Sequence, residues 1–147
     1  PVTMDQMIRH TDAVRRGATP AHDPVSVPSR GSYLAPLVVR GVPVDAPLAT
    51  EEIFGPVAPV VTWTDTEQMV RAANDTEYGL AGYVFSRDTH RALAIGQALQ
   101  CGMVGVNRGL VSDPAAPFGG MKQSGLGREG ARDGLRAFQE TQFLSLK

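Results

Sequence analysis

The run Pro117-Phe118-Gly119-Gly120-Met121-Lys122-Gln123-Ser124-Gly125-Leu126-Gly127-Arg128-Glu129-Gly130 holds five glycines, two basic residues and one acid. Glycine loses extra backbone entropy on ordering, so this density suits neither an ordinary helix nor an ordinary strand. It suits a backbone that turns sharply or lies close against something else, and so a ligand-facing loop. Gly125 to Gly130 also spells G-x-G-x-x-G, the spacing of a phosphate cradle. That chemistry needs a strand just before the first glycine and an acid about 20 residues later. Gly119 to Ser124 is no strand, and the later acids Asp133 and Glu140 end no obvious second strand. A loop feeding a helix accounts for the run better.

Glu51-Glu52-Ile53-Phe54-Gly55-Pro56 is the second chemical constellation. A carboxylate accepts hydrogen bonds from vicinal sugar hydroxyls, and an aromatic packs on a flat ring. The same residues would equally make a solvated acidic loop with Phe54 plugging the core, and side-chain chemistry alone leaves the two open. Cys101 sits where a helix is expected to stop, in Leu99-Gln100-Cys101-Gly102. A thiolate is favoured at a helix N-terminus or beside a cation, and the C-terminal dipole is opposite. Cys101 is therefore expected to be a small buried apolar residue and not a nucleophile. His10, His22 and His90 are isolated, without metal-ligand spacing, and no metal is expected.

The elements that must position these residues alternate. Met4 to Arg16 has a helical apolar stripe, with Gly17 as its stop. Thr19 to Gly31 carries three prolines and predicts an exposed loop. Tyr33 to Val42 predicts a strand broken by Pro36, and Pro43 to Pro59 a long connector. Val57 to Trp63 reads as a buried strand. Thr64-x-x-Glu67 is a capping box for a helix through Asn74. A strand from Leu80 to Ser86 precedes a helix capped by Asp88 and running to Gln100. Leu93, Ala94, Ala98 and Leu99 mark its apolar side, and Gly102 its stop. A short buried strand, Met103 to Asn107, leads to the glycine-rich run. A helix from about Arg128 to Ala137 and a strand from Thr141 to Leu146 end the chain. The class is α/β with a largely parallel sheet and flanking helices. A terminal strand must pair with something, and pairing between subunits is one outlet.

The 147 residues suffice for a compact domain with a real core. With 42% hydrophobic and 20% charged residues, the composition is that of an ordinary soluble globular protein. A net charge of −1 favours neither nucleic acid nor an anionic membrane. One cysteine rules out an internal disulfide and suits a reducing cytoplasm. No apolar stretch approaches the roughly 20 residues that span a bilayer. The start, Pro1-Val2-Thr3-Met4-Asp5, has neither a basic region nor an apolar signal core. Pro1 in place of Met is expected of a chain that begins inside a longer polypeptide.

Together the pieces resemble the aldehyde dehydrogenase superfamily, from about Tyr33 to the end and more loosely through the first helix. The anchors are Glu51 to Pro56, Ala73-Asn74-Asp75-Thr76-Glu77-Tyr78-Gly79-Leu80, Gly105-Val106-Asn107 and Pro117 to Gly130. Within the superfamily, Val104 to Ser112 and Gly125 to Gly130 look most like succinate-semialdehyde dehydrogenases. The resemblance implies that residues 1–137 form the second half of a catalytic domain. It implies that residues 138–147 form an oligomerisation strand, which this family pairs with a neighbouring subunit, so that the protein is a homo-oligomer.

The resemblance also implies a mechanism. A cysteine thiolate attacks the aldehyde, backbone and amide groups hold the oxyanion, hydride passes to NAD or NADP, and a glutamate activates the hydrolytic water. Position by position, Glu52 looks like the acid on the nicotinamide ribose and Phe54 like its partner against the nicotinamide end. Phe118 resembles an aromatic in the aldehyde pocket wall. Ser112 resembles the serine that binds the substrate carboxylate, although it is also a turn residue before Asp113-Pro114. Arg108 departs from the small or acidic residue expected there. Family members are about three times this length, and the nucleophile, the base and the cofactor-binding domain lie upstream of the matching part. No catalytic residue is assigned within the chain, and the 147 residues alone are expected to be inactive. A truncated relative surviving as a folded association module is the alternative.

Overall fold

The computed structural model describes residues 13–14, 16–23, 25–28, 30–31 and 33–147. Most of the helix expected over Met4 to Arg16, and His10 with it, lie outside the described residues. Its stop is visible. Gly17 has φ 96°, its N–H donates to Val14 O at 3.1 Å, and Ala18 N–H donates to Ala13 O at 3.0 Å. This is the paired closure by which a left-handed glycine ends a helix. The described chain forms two compact units, up to Met69 and from Val70.

The first unit holds β1 (Thr19–Pro20), β2 (Leu37–Arg40), α1 (Pro47–Thr50) and β3 (Val57–Val60). Pro36 offers no N–H, and β2 begins immediately after it, so the strand is shorter than Tyr33 to Val42. β2 runs parallel to β3 in the register Leu37 with Val57 through Arg40 with Val60. The two residues of β1 pair antiparallel with β2. β3 was expected to be buried through Trp63. It stops at Val60 and alternates half-buried with exposed residues, because among the described residues it is an edge strand and Pro59 cannot donate to a further ladder. The connector expected over Pro43 to Pro59 contains α1, which starts at Pro47 where a missing N–H costs nothing. Val39, Val42, Ala46 and Leu48 are buried together with Ala13 and Ala18. Arg16 reaches Asp45 at 2.6 Å, and that hydrogen bond holds the Asp45 carboxyl below its ordinary value.

α2 (Thr66–Asn74) is followed by the elements of the second unit: β4 (Tyr78–Gly79), β5 (Ala81–Val84), α3 (Thr89–Ala98), β6 (Met103–Val106), β7 (Met121–Lys122) and α4 (Ala131–Arg136). The cap of α2 is Asp65 and not Thr64: Asp65 Oδ1 accepts from Gln68 N–H at 2.9 Å. Asp88 caps α3 as expected, accepting from Arg91 N–H at 3.0 Å. β5 and β6 are parallel, joined through α3. The buried face of α3 is Ala92, Ile95 and Gly96, whereas Leu93, Ala94 and Ala98 are exposed. Gly96 decides the face, because a Cβ there would come within 3.3 Å of Val104 and 3.6 Å of Val106 on β6.

Gly102 does not stop α3. The Asn74 amide does, donating to Ala98 O and accepting from Gln100 N–H, both at 2.8 Å. The expected last helix begins at Ala131, three residues late, after Gly130 at φ 68°. Thr141 to Leu146 forms no strand, and residues 139–147 are exposed without regular structure. A strand exists only through its ladder, and among the described residues nothing pairs with this segment. No helix among the described residues is long and apolar enough to cross a membrane.

Candidate functional site

In the first unit, Glu52 and Phe54 lie on the connector leaving α1. Glu51 N–H donates to Pro47 O at 3.0 Å and closes that helix. Ile53 is half-buried against the core around Val39 and Leu48. Its two neighbours face outward, Glu52 exposed and Phe54 79% exposed. The core plug is thus Ile53 and not Phe54. Pro56 O accepts from Leu37 N–H at 2.8 Å and returns the connector to the sheet. An exposed carboxylate and an exposed ring, two residues apart on an anchored connector, suit a ribose diol beside a flat heterocycle.

In the second unit, β5 and β6 end at a shared carboxyl edge, the place where ligands gather in open α/β sheets. Asn107 leaves β6 at φ 53° and is pinned to Ser86. Ser86 N–H donates to its Oδ1 at 2.8 Å, and its Nδ2 donates to Ser86 O at 2.9 Å. Gly105 lets the chain curl back, since a Cβ there would meet Arg108 O and Val111 Cγ1, each at 3.0 Å. Val111 is half-buried and Ser112 next to it is exposed. The turn begins at Asp113, whose Oδ1 accepts from Ala115 N–H at 2.9 Å. Ser112 therefore precedes the turn and is not one of the residues holding it.

Phe118 is bridged to Glu129 by two backbone hydrogen bonds of 2.8 and 2.7 Å, with its ring 36% exposed. That bridge closes residues 118–129 into a loop. Arg128 Nη1 ties its two sides together, donating to Gly120 O at 2.8 Å and to Gly127 O at 2.6 Å. Gly125 and Gly127 have φ of 107° and 84° with open space around them, so conformation and not crowding requires glycine. Leu126 between them is fully exposed. Gly119 to Ser124 was expected to hold no strand, yet β7 forms there because Met121 and Lys122 pair with Gly79 and Tyr78 of β4. α4 nevertheless begins only after the third glycine, so this G-x-G-x-x-G is a loop tip and not a phosphate cradle.

Sequence reasoning missed the side chains that hold this loop. Lys122 Nζ donates to Asn74 O at 2.6 Å and to Thr76 O at 2.9 Å. Gly79 N–H donates to Ser124 Oγ at 2.9 Å. The available signal was a lone lysine and serine among glycines, opposite an Asn that ends a helix. Ser112 and Phe118 share the second unit, and Glu52 and Phe54 share the first. Among the described residues, no group of three His, Cys, Asp or Glu side chains is placed to hold a metal.

Cys101 is half-buried, with Sγ 3.3 Å from where a Gly82 Cβ would stand. Burial pushes its thiol above the ordinary value, and the nearby Lys122 charge opposes this only in part. A raised pKa leaves less thiolate at neutral pH. Cys101 is expected to react with a disulfide reagent more slowly than free cysteine at pH 7. Its rate should keep climbing at pH values where free cysteine has levelled off. Rapid labelling at pH 7 would contradict this placement.

Residues 4–144 match the Aldehyde dehydrogenase family. Succinate-semialdehyde dehydrogenase of Paenarthrobacter nicotinovorans is 45% identical over 136 residues, covering 92% of this chain and 30% of that enzyme. Glutarate-semialdehyde dehydrogenase of Pseudomonas putida is 42% identical over 135 residues, covering 92% and 28%. The crystal structure of succinic semialdehyde dehydrogenase from Streptococcus pyogenes, in complex with NADP+, superposes with a TM-score of 0.78 at 34% identity. That match covers 91% of this chain and 30% of the other. The chain thus spans less than a third of the length of these relatives.

Proposed function

Because the chain belongs to the aldehyde dehydrogenase family, we propose that it is the C-terminal part of an NAD(P)-dependent dehydrogenase of short ω-carboxylate semialdehydes, with succinate semialdehyde as the leading substrate. Ser112 carries this reading. It is exposed at the carboxyl edge of β5 and β6, between the Asn107 pin and the Asp113 turn. Relatives named for succinate and glutarate semialdehydes support an acid substrate. The Ser112 hydroxyl would donate to the carboxylate, and Phe118 would wall the aldehyde pocket and exclude water. Glu52 would accept from the ribose hydroxyls and Phe54 would pack against the nicotinamide end, fixing the angle of hydride transfer. NAD or NADP, when bound, supplies the hydride acceptor.

The thiolate and the base would belong to the rest of the enzyme, since Cys101 is the single cysteine here and burial pushes its thiol up. Residues 138–147 would pair with a neighbouring subunit. Phe143 and Leu146, 87% and 96% exposed, favour such cover. A cytoplasmic setting accompanies this reading.

In the complete enzyme, Ser112→Phe should lower kcat/KM for succinate semialdehyde by about 100-fold relative to butanal, because the carboxylate would lose its donor and meet an apolar ring instead. Equal losses for both substrates would remove the carboxylate role.

A further inference from the structure

From Ala92 to Met121 the only basic residue is Arg108 and the only acid is Asp113. Asp113 is engaged in its own turn, accepting from Ala115 N–H. Arg108 is exposed and makes no ion pair among the described residues. Its place is fixed by its neighbours. Asn107 before it is locked to Ser86, and its own carbonyl lies over Gly105, 3.0 Å from where a Cβ would stand. Three residues after Arg108, Val111 anchors the same curl and Ser112 follows. A single cation thus stands on the short loop that presents the proposed carboxylate donor, at the carboxyl edge of the parallel strands.

We propose that Arg108 is a specificity-determining residue that draws the carboxylate of an acid semialdehyde toward Ser112. This rests on the substrate class proposed above. Arg87 and Asp88, which follow Ser86 on the neighbouring strand end, are opposite in sign and leave Arg108 as the excess charge of this edge. An exposed guanidinium has little bound-state strength in water, but an excess cation beside a binding site raises the local concentration of the opposite ion. Its effect falls on capture, in kcat/KM, and is screened by salt. It contributes nothing to the chemical step.

The test is steady-state kinetics of the complete enzyme carrying this sequence, with succinate semialdehyde and butanal, at low and high sodium chloride. Arg108→Gln should lower kcat/KM for the acid roughly 3- to 10-fold more than for butanal at low salt. Arg108→Lys should restore most of that difference, because it keeps the charge. High salt should shrink the gap between the parent and Arg108→Gln. A parent that prefers succinate semialdehyde while Arg108→Gln keeps the full preference overturns the inference alone. A parent without that preference overturns the substrate class, and the inference with it. A loss that is equal for both substrates, or that Arg108→Lys fails to restore, also overturns it.

Discussion

Gly102→Ala should cost the second unit at least about 3 kcal/mol, enough to erase its cooperative unfolding transition. Three backbone segments cross at this point. Gly102 N–H donates to Gly79 O at 2.9 Å, on β4. A Cβ on Gly102 would overlap the Gly119 carbonyl, and one on Gly79 would overlap the Gln100 carbonyl. These obstacles are backbone atoms, so no rotamer change relieves them. Gly119 in turn is held by its own crowding, since its Cβ would stand 2.7 Å from Gly127 O. The strain would therefore pass into the loop that carries Phe118. Gly109→Ala is the control, because nothing lies within 4 Å of its Cβ position. It should stay within about 0.5 kcal/mol of the parent. Urea unfolding followed by circular dichroism checks both, and a Gly102→Ala chain as stable as the parent would refute the crossing.

The parts of this fold that depend on neighbours in sequence were legible. Asp88 was recognisable as a cap because capping is a local bond, made three residues along the chain. Gly17 was recognisable as a stop because glycine tolerates its left-handed φ. One failure is local, at the start of α2, and the others originate in distant partners. Thr64 and Asp65 are both able to cap, and only the geometry of the first turn selects Asp65. The face of α3 was misassigned because alanines and leucines surround it, while the valines of β6 choose Gly96. Asn74 closes a helix that ends 24 residues later, a bond no local pattern announces. Thr141 to Leu146 alternates like a strand but has no ladder of its own. The proposed site rests on residue types, in Glu52, Phe54, Ser112 and Phe118. Its anchors Ile53, Asn107 and Val111 emerged only from packing.

The purified 147-residue chain should oxidise no aldehyde. Thioester chemistry requires a thiolate in reach of the carbonyl and a base to release the acid. The single cysteine, Cys101, is half-buried, and burial pushes its thiol above the ordinary value. It lies just before β6, on the amino side of the strand whose other end leads to Ser112. Removing a nucleophile from a covalent mechanism costs on the order of a millionfold in rate. On the proposed roles, what the chain would retain is positioning, with Glu52 and Phe54 for the cofactor and Ser112 and Phe118 for the aldehyde. The direct measurement is the absorbance of reduced nicotinamide when pure chain is mixed with succinate semialdehyde and NAD or NADP. The prediction is a rate equal to the protein-free blank with either cofactor. Reduced nicotinamide that accumulates in proportion to chain concentration, and is abolished by Cys101→Ser, would contradict it.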